Sequence, residues 1–329
     1  MTPKYNRFNP YKILSHKETL DRIVNQEIPY PLQWVIYPSY QCNYACPHCI
    51  MKVERNFSML SEETMEKIPY DVVKCGCKNV IFSGGGEPLT NPHTLKIAKY
   101  LRRQGVKVGM NTNGYLLTDA SEIDYLRISV DAGSRETYKK IHGVDGWEKL
   151  QNNLSNLKRN ELGLAYLIQP NNWQETEMFV KWAQQFKPNF IHIRPAYLDA
   201  SYLSGGDKMR ELIPEMEKLK AKLEAENDNV YFKVDKFDGY WNQKLYTKCR
   251  ANLLKAVLCA DGHFTVCQDV FIKFGDYNKQ SFEDIWFGEE HKKAIEKINL
   301  ETCPRCVENS YNEILENCIL KDNLKMELI

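Results

Sequence analysis

The chain has 329 residues, with 44 Lys and Arg against 43 Asp and Glu and a formal charge of +1. This balance excludes the basic field of a nucleic-acid binder and the acidic excess of a solvating tail, and no apolar run approaches the roughly 18–20 residues of a membrane span. Eleven cysteines, behind a polar start (Met1-Thr-Pro-Lys-Tyr-Asn-Arg-Phe8) with no apolar signal core, point to metal or redox chemistry in a reducing cytoplasm rather than a disulfide framework.

In chain order, short apolar runs alternate with longer amphipathic stretches. Expected strands are Leu32–Tyr37, Asn79–Phe82, Lys107–Met110, Tyr125–Val130, Leu164–Ile168 and Phe190–Ile193. Expected helices are Ser61–Lys74, Thr94–Gln104, Arg135–His142 with Trp147–Leu157, Trp173–Gln185 and Lys208–Glu224. Acidic residues at helix starts, such as Glu62 and Glu63 or Glu175 and Glu177, suit the positive end of the helix dipole. Strand–helix alternation implies a parallel sheet with right-handed crossovers. Six units in about 200 residues predict an α/β fold, an incomplete (β/α)6 TIM-like barrel rather than the complete eight-unit form of about 250 residues. The expected organisation is an extension over 1–29, the partial barrel over 30–228 and a small cysteine-bearing domain over 229–329. A short strand-like run, Val230–Val234, leads into that last domain.

Ligands of parallel α/β folds bind at the carboxyl ends of the strands. The distinctive polar segments fall there. After the first strand comes Cys42-x3-Cys46-x2-Cys49, with His48 before the last cysteine. Ser83-Gly-Gly-Gly-Glu-Pro88 follows the second, Asn111-Thr-Asn-Gly114 the third, and Ser129 and Asp131 close the fourth. Three thiolates on one loop can hold a metal centre without saturating it. A zinc knuckle completed by His48 or a distant cysteine is the alternative. Cys75 and Cys77 read as packing cysteines.

The cysteine spacing joined to Gly85-Gly-Glu-Pro88 resembles the radical S-adenosylmethionine (radical SAM) family over roughly residues 30–200. The resemblance implies a [4Fe–4S] cluster on Cys42, Cys46 and Cys49 whose open iron chelates S-adenosylmethionine. It also implies an electron donor such as flavodoxin or ferredoxin, and a 5′-deoxyadenosyl radical that takes a hydrogen atom from substrate. Carried over residue by residue, Gly85 and Gly86 bring backbone close to the ligand, Glu87 holds the methionyl ammonium, and Ser129 and Asp131 meet the ribose. His48, Asn113, Asn171 and Arg194 are further cofactor-binding candidates; Arg194 could pair a carboxylate. A plain tight turn at Gly84–Gly86 and a helix cap at Ser129 and Asp131 are the structural alternatives.

In the tail, Cys249-x12-Gly262-x4-Cys267 with Cys303-Pro-Arg-Cys306 resembles the SPASM/Twitch extensions that bind auxiliary clusters. Its four cysteines imply one auxiliary [4Fe–4S] cluster. Asn312 stands where a full SPASM extension would continue with a cysteine, which favours the shorter Twitch type; a zinc ribbon is the alternative. Cys259 and Cys318 are left over, as replacement ligands or as hydrogen donors to a substrate radical. The expected reaction is dehydrogenation or epimerisation of a small polar molecule (sugar, aminocyclitol or nucleoside), with peptide maturation as the alternative, because only about thirty residues precede the first strand. Tyr197, Tyr202, Tyr231, Tyr240 and Trp241 could line a carbohydrate-like pocket. Neither nucleic acid nor membrane is an expected partner, and a zinc-stabilised interaction module is the non-enzymatic alternative.

Overall fold

The structure is a computed structural model describing residues 9–51, 57–196, 211–233, 243–303, 306 and 308–320. Tyr197, Tyr202, Tyr240 and Trp241 lie outside the described residues, as do Val234 and the expected helix start at 208–210.

The strands are β1 (Gln33–Ile36), β2 (Asn79–Phe82), β3 (Lys107–Thr112), β4 (Asp119–Ser129), β5 (Lys158–Ile168), β6 (Phe190–Pro195), β7 (Val230–Phe232), β8 (Lys255–Leu258), β9 (Phe264–Thr265) and β10 (Lys273–Phe274). They form one open sheet in the order β10-β9-β8-β1-β2-β3-β4-β5-β6-β7. The α-helices are α1 (Lys17–Val24), α2 (Glu62–Lys74), α3 (Thr94–Arg103), α4 (Arg135–His142), α5 (Trp147–Asn156), α6 (Thr176–Gln184), α7 (Ile213–Glu226), α8 (Phe282–Trp286), α9 (Glu289–Glu296) and α10 (Asn309–Glu313). Among the described residues, no helix is long and apolar enough to cross a membrane.

Local chemistry explains the helix bounds. Ser61 accepts from the Thr64 amide at 3.1 Å to start α2, and Ser134 accepts from Thr137 N to start α4. At the end of α4, Gly143 takes φ +69°, and its amide donates to Lys139 O.

Two expectations need correction. β4 and β5 start about six residues earlier than apolar patterning shows, because their first halves are polar (Ser121, Glu122, Asp124; Lys158, Arg159, Asn160). Side-chain bonds help to hold those halves together, as from Asn160 Nδ2 to Ser121 O and Ile123 O. The parallel run also has eight strands rather than six. β7 pairs in parallel with β6, and β8, from the cysteine-bearing tail, pairs in parallel with β1. Strands of three and four residues leave little periodicity to read.

Strand alternation sorts the sheet. Trp34, Ile36, Val80, Phe82, Leu126 and Ile128 are among the residues buried in the main apolar core. The opposite alternation places Ser83, Asn111, Arg127, Ser129, His192 and Arg194 on the other face; Asn111 and Arg127 are register partners, and Asn111 Nδ2 donates to Ser83 Oγ.

The tail completes the apolar core. Trp34 is fully buried against Phe264, Tyr277 and Phe282. Tyr277 OH donates to Asp71 on α2 at 2.7 Å, and Trp286 Nε1 donates to Pro29 O at 2.8 Å. A chain ending at Lys248 would expose the edge of β1 and the Trp34 ring, the lost burial of that one side chain forfeiting about 3 kcal/mol. Such a truncation is expected to aggregate on expression, checked by soluble yield and circular dichroism.

Candidate metal and cofactor site

Cys42, Cys46 and Cys49 are half-buried on the loop after β1. The loop is pinned from three sides. Within it, the Cys49 amide donates to Cys46 O and the Tyr44 amide approaches Cys42 Sγ at 3.4 Å. From below, Gly86 N donates to Ser39 O and Glu87 N to Gln41 O, both at 2.8 Å. Beside it, the end of α4 closes in. Ala45 N donates to His142 O, and the buried Tyr44 and Tyr138 hydroxyls bond at 2.7 Å. His142 Nδ1 lies 3.3 Å from Cys46 Sγ while Nε2 bonds Val130 O, a carbonyl that can only accept. Nε2 therefore carries the proton, and Nδ1 turns its lone pair to the thiol. Burial lowers the His142 pKa to about 4, which keeps the ring neutral.

The glycine-rich turn explains itself by contact. A Cβ on Gly86 would stand 1.9 Å from Gln41 O, so only glycine lets the turn meet the cysteine loop. Gly85, at φ +74°, leaves a Cβ 3.0 Å from Ser39 O.

Several sequence-assigned residues are engaged with the protein itself. Glu87 is 2% exposed, and its carboxylate accepts from Leu89 N (3.1 Å), Thr112 Oγ1 (2.7 Å) and Asn113 N (2.8 Å). It ties the tip of β3 to the turn after β2; burial raises its pKa against those bonds. Asp131 is likewise 1% exposed, with φ +58°, and accepts from Leu167 N at 2.7 Å. In this structure both acids brace the backbone around them. Asn171 is exposed, whereas the adjacent Asn172 is buried and organises the β5 tip. Asn172 accepts from Gln169 N and donates to Asp131 O and Leu167 O. Asn113 bonds Asn43 Oδ1 in the cysteine loop. His48, Ser129 and Arg194 are half-buried.

Two amides at these tips, Asn43 Nδ2 and Gln169 Nε2, are shielded from water with no protein partner. A polar ligand would satisfy them, so the residues present fit a bound S-adenosylmethionine as well as the three thiols fit a cluster.

The second cysteine set also comes together. Cys249, Cys267, Cys303 and Cys306 line one cavity, together with Asn252 and Gln268. Burial pushes all four thiols up, Cys306 to about 12, so the free thiols hold their protons and ligation must displace them. Asn252 is 6% exposed, and both polar atoms of its side chain lack partners; the sulfurs of a cluster would accept from its Nδ2. Asn312 is not spare: its Oδ1 accepts from Arg250 N and Ala251 N, bracing the Cys249 turn. Among the described residues, no three His, Cys, Asp or Glu are drawn together around a single metal ion. Cys318 is exposed, and Cys259 is fully buried in a cluster with Tyr37 and Tyr40 against which Cys49 packs; neither lines the cavity.

Tyr37, unmarked by any motif, links the two regions. It is buried at the end of β1 and its side chain bonds Gln268, the neighbour of Cys267; burial and the nearby Cys259 raise its pKa.

Residues 36–183 match the Radical SAM superfamily model, and residues 249–307 match SPASM, an iron–sulfur cluster-binding domain. The chain therefore carries a radical SAM domain and a C-terminal SPASM domain. Accordingly the family supplies a [4Fe–4S] cluster and S-adenosylmethionine, and the extension supplies auxiliary iron–sulfur binding. Curated relatives include a probable GTP 3′,8-cyclase of Saccharolobus solfataricus, 28% identical over 200 residues, covering 56% of this chain and 64% of that protein. Another, from Metallosphaera sedula, is 27% identical over 201 residues, 56% of this chain and 63% of that one. The match thus spans under two thirds of these relatives. Streptococcus suis SuiB bound to precursor peptide SuiA superposes with a TM-score of 0.62 at 15% identity, over 93% of this chain and 78% of that one. The structure of anSMEcpe with bound AdoMet gives 0.60 at 15%, over 86% and 88%. At such identities the likeness shows the fold of this radical SAM chain alone.

Two outcomes follow from this geometry. Gly86→Ala should cost about 3 kcal/mol or more and lose iron loading, whereas Gly105→Ala, whose Cβ meets nothing within 4 Å, should cost about 1–2 kcal/mol for its positive φ. Thermal melting with iron assay separates them. Asp131, raised to about 7 by burial, favours the folded state most when protonated. Its contribution is full below the unfolded value of about 3.9 and is lost as pH rises to about 7. Asp131→Asn should flatten the apo-protein's stability over that window, read by urea denaturation at pH 4, 5.5 and 7.

Proposed function

We propose that this enzyme cleaves S-adenosylmethionine reductively and abstracts a hydrogen atom from a small polar, nucleoside- or sugar-like substrate. One observation carries the reading. Ser83, Asn111, Arg127, Ser129, His192 and Arg194 share the sheet face opposite the apolar core, and the cysteine loop stands at the carboxyl tips of the same strands. The curated relatives' name, GTP 3′,8-cyclase, supports a small polar substrate over a peptide.

When bound on Cys42, Cys46 and Cys49, the cluster with S-adenosylmethionine supplies a one-electron reduction and a hydrogen-abstracting radical. The chain's own part is orientation and shielding. The buried Glu87 and Asp131 fix the tips of β3 and β5, and Asn43, Gln169 and Ser129 offer polar contacts. Four half-buried thiols lining one cavity, Cys249, Cys267, Cys303 and Cys306, would hold a single auxiliary cluster. The thiol of Cys259, buried in one cluster with Tyr37, would return the hydrogen in a redox-neutral reaction.

Anaerobically reconstituted protein should contain about eight iron atoms, four per [4Fe–4S] cluster, and release 5′-deoxyadenosine under reduction. Cys46→Ala should abolish that release, and Cys267→Ala should halve the iron. Release that persists in Cys46→Ala would sink the proposal. With a turned-over substrate, deuterium taken from solvent and lost in Cys259→Ala would assign epimerisation; net loss of two hydrogens would assign dehydrogenation.

A further inference from the structure

Arg127 is the unexplained charge of this protein. It lies on the polar face of β4, opposite Asn111 of β3. Among the described residues its guanidinium makes no hydrogen bond or salt bridge, and its Nε is sealed from solvent. Asn111 shows the complementary gap: Nδ2 donates to Ser83 Oγ at 2.9 Å, but Oδ1 is buried and unbonded. The nearby acids do not close the account. Asp131 bonds the Leu167 amide, and Glu161 engages another residue. Arg194 adds further positive charge at the end of β6. Burial raises the carboxyl of Asp131 to about 7, and the charges of Arg194 and Arg127 offset that only in part.

The floor of this position is apolar. Gly163, the partner of Arg127 on β5, lies under the Phe190 ring, which stacks on Tyr125 with centroids 5.2 Å apart. Arg127 is half-buried with its Nε unpaired, and an ion pair formed over such a floor is screened less than one in open water. Arg127 lies two residues before Ser129, about 6.6 Å further from the carboxyl tips where S-adenosylmethionine is expected.

We propose that Arg127 and Asn111 form an oxyanion subsite in the substrate pocket. It takes a small molecule whose carboxylate or phosphate pairs with the guanidinium and whose adjacent hydroxyl or amine donates to Asn111 Oδ1. The proposal rests on the small-substrate reading above and adds the substrate's charge.

The test needs no turnover. Reconstituted, unreduced protein saturated with S-adenosylmethionine is titrated with glycerol 3-phosphate, glycerate and, as the neutral control, glycerol, by calorimetry and thermal melting. At least one anion should bind saturably while glycerol does not; which anion binds separates phosphate from carboxylate. Arg127→Gln should weaken that binding at least about tenfold, with partial recovery in Arg127→Lys, which keeps the charge without the fork. Asn111→Asp, which sets a carboxylate opposite the guanidinium, should raise the melting temperature and abolish anion binding, and it decides the matter if Arg127→Gln fails to fold. Failure of both anions to bind, unchanged affinity in Arg127→Gln, or competition with S-adenosylmethionine would each overturn the subsite. Absence of 5′-deoxyadenosine under reduction would instead bring down the functional reading, leaving the anion titration to be scored by itself.

Discussion

A single buried carboxylate organises the site. Glu87 receives three hydrogen bonds, from its own turn and from the tip of β3, while its amide donates to the cysteine loop. Three consecutive strand ends are thereby held in one arrangement, with Gly86 admitting the backbone contact. A carboxylate so enclosed has lost its hydration, and its pKa rises accordingly. The cost is offset by the three donors the carboxylate satisfies, the Thr112 hydroxyl among them in a fully buried bond. The position of the three thiols depends on this brace and on the Tyr44–Tyr138 and Ala45–His142 contacts from α4.

The tail is structurally continuous with the sheet. β8 extends the parallel run beyond β1, and the aromatic cover of Trp34 comes from residues 264–286. β1 consequently carries the cysteine loop at its end and borders the strand that leads toward the auxiliary cavity. The Tyr37–Gln268 bond spans the remaining gap. Two cysteine sites far apart in sequence are therefore set by one strand, which limits how far either can shift independently.

Much of this was legible in the residues. β2 and α4 run over the spans expected, and Cys249, Cys267, Cys303 and Cys306 meet around one cavity as their spacing suggested. Apolar periodicity reads strands and helices that bury one face, and ligand spacing reads chemistry on a single loop. Both signals are local. The polar halves of β4 and β5, the three-residue β7 and the pairing of β8 with β1 carry almost no local pattern and are stabilised by neighbours distant in sequence.

The sequence by itself determined the thiol chemistry, the glycine-rich turn and the order of strands and helices, because these depend on residue type and short spacing. Only the tertiary structure decided which polar groups have their hydrogen bonds filled within the protein. Glu87 and Asp131 read as ligand contacts in the sequence, and in the structure each carboxylate also accepts bonds that brace a strand tip; Asn172, beside Asn171, holds the β5 tip; Tyr37 and Arg127 gain meaning only from what surrounds them. The physical reason is that a polar side chain's role is set by whether its hydrogen bonds are already filled, and that depends on residues brought near by folding.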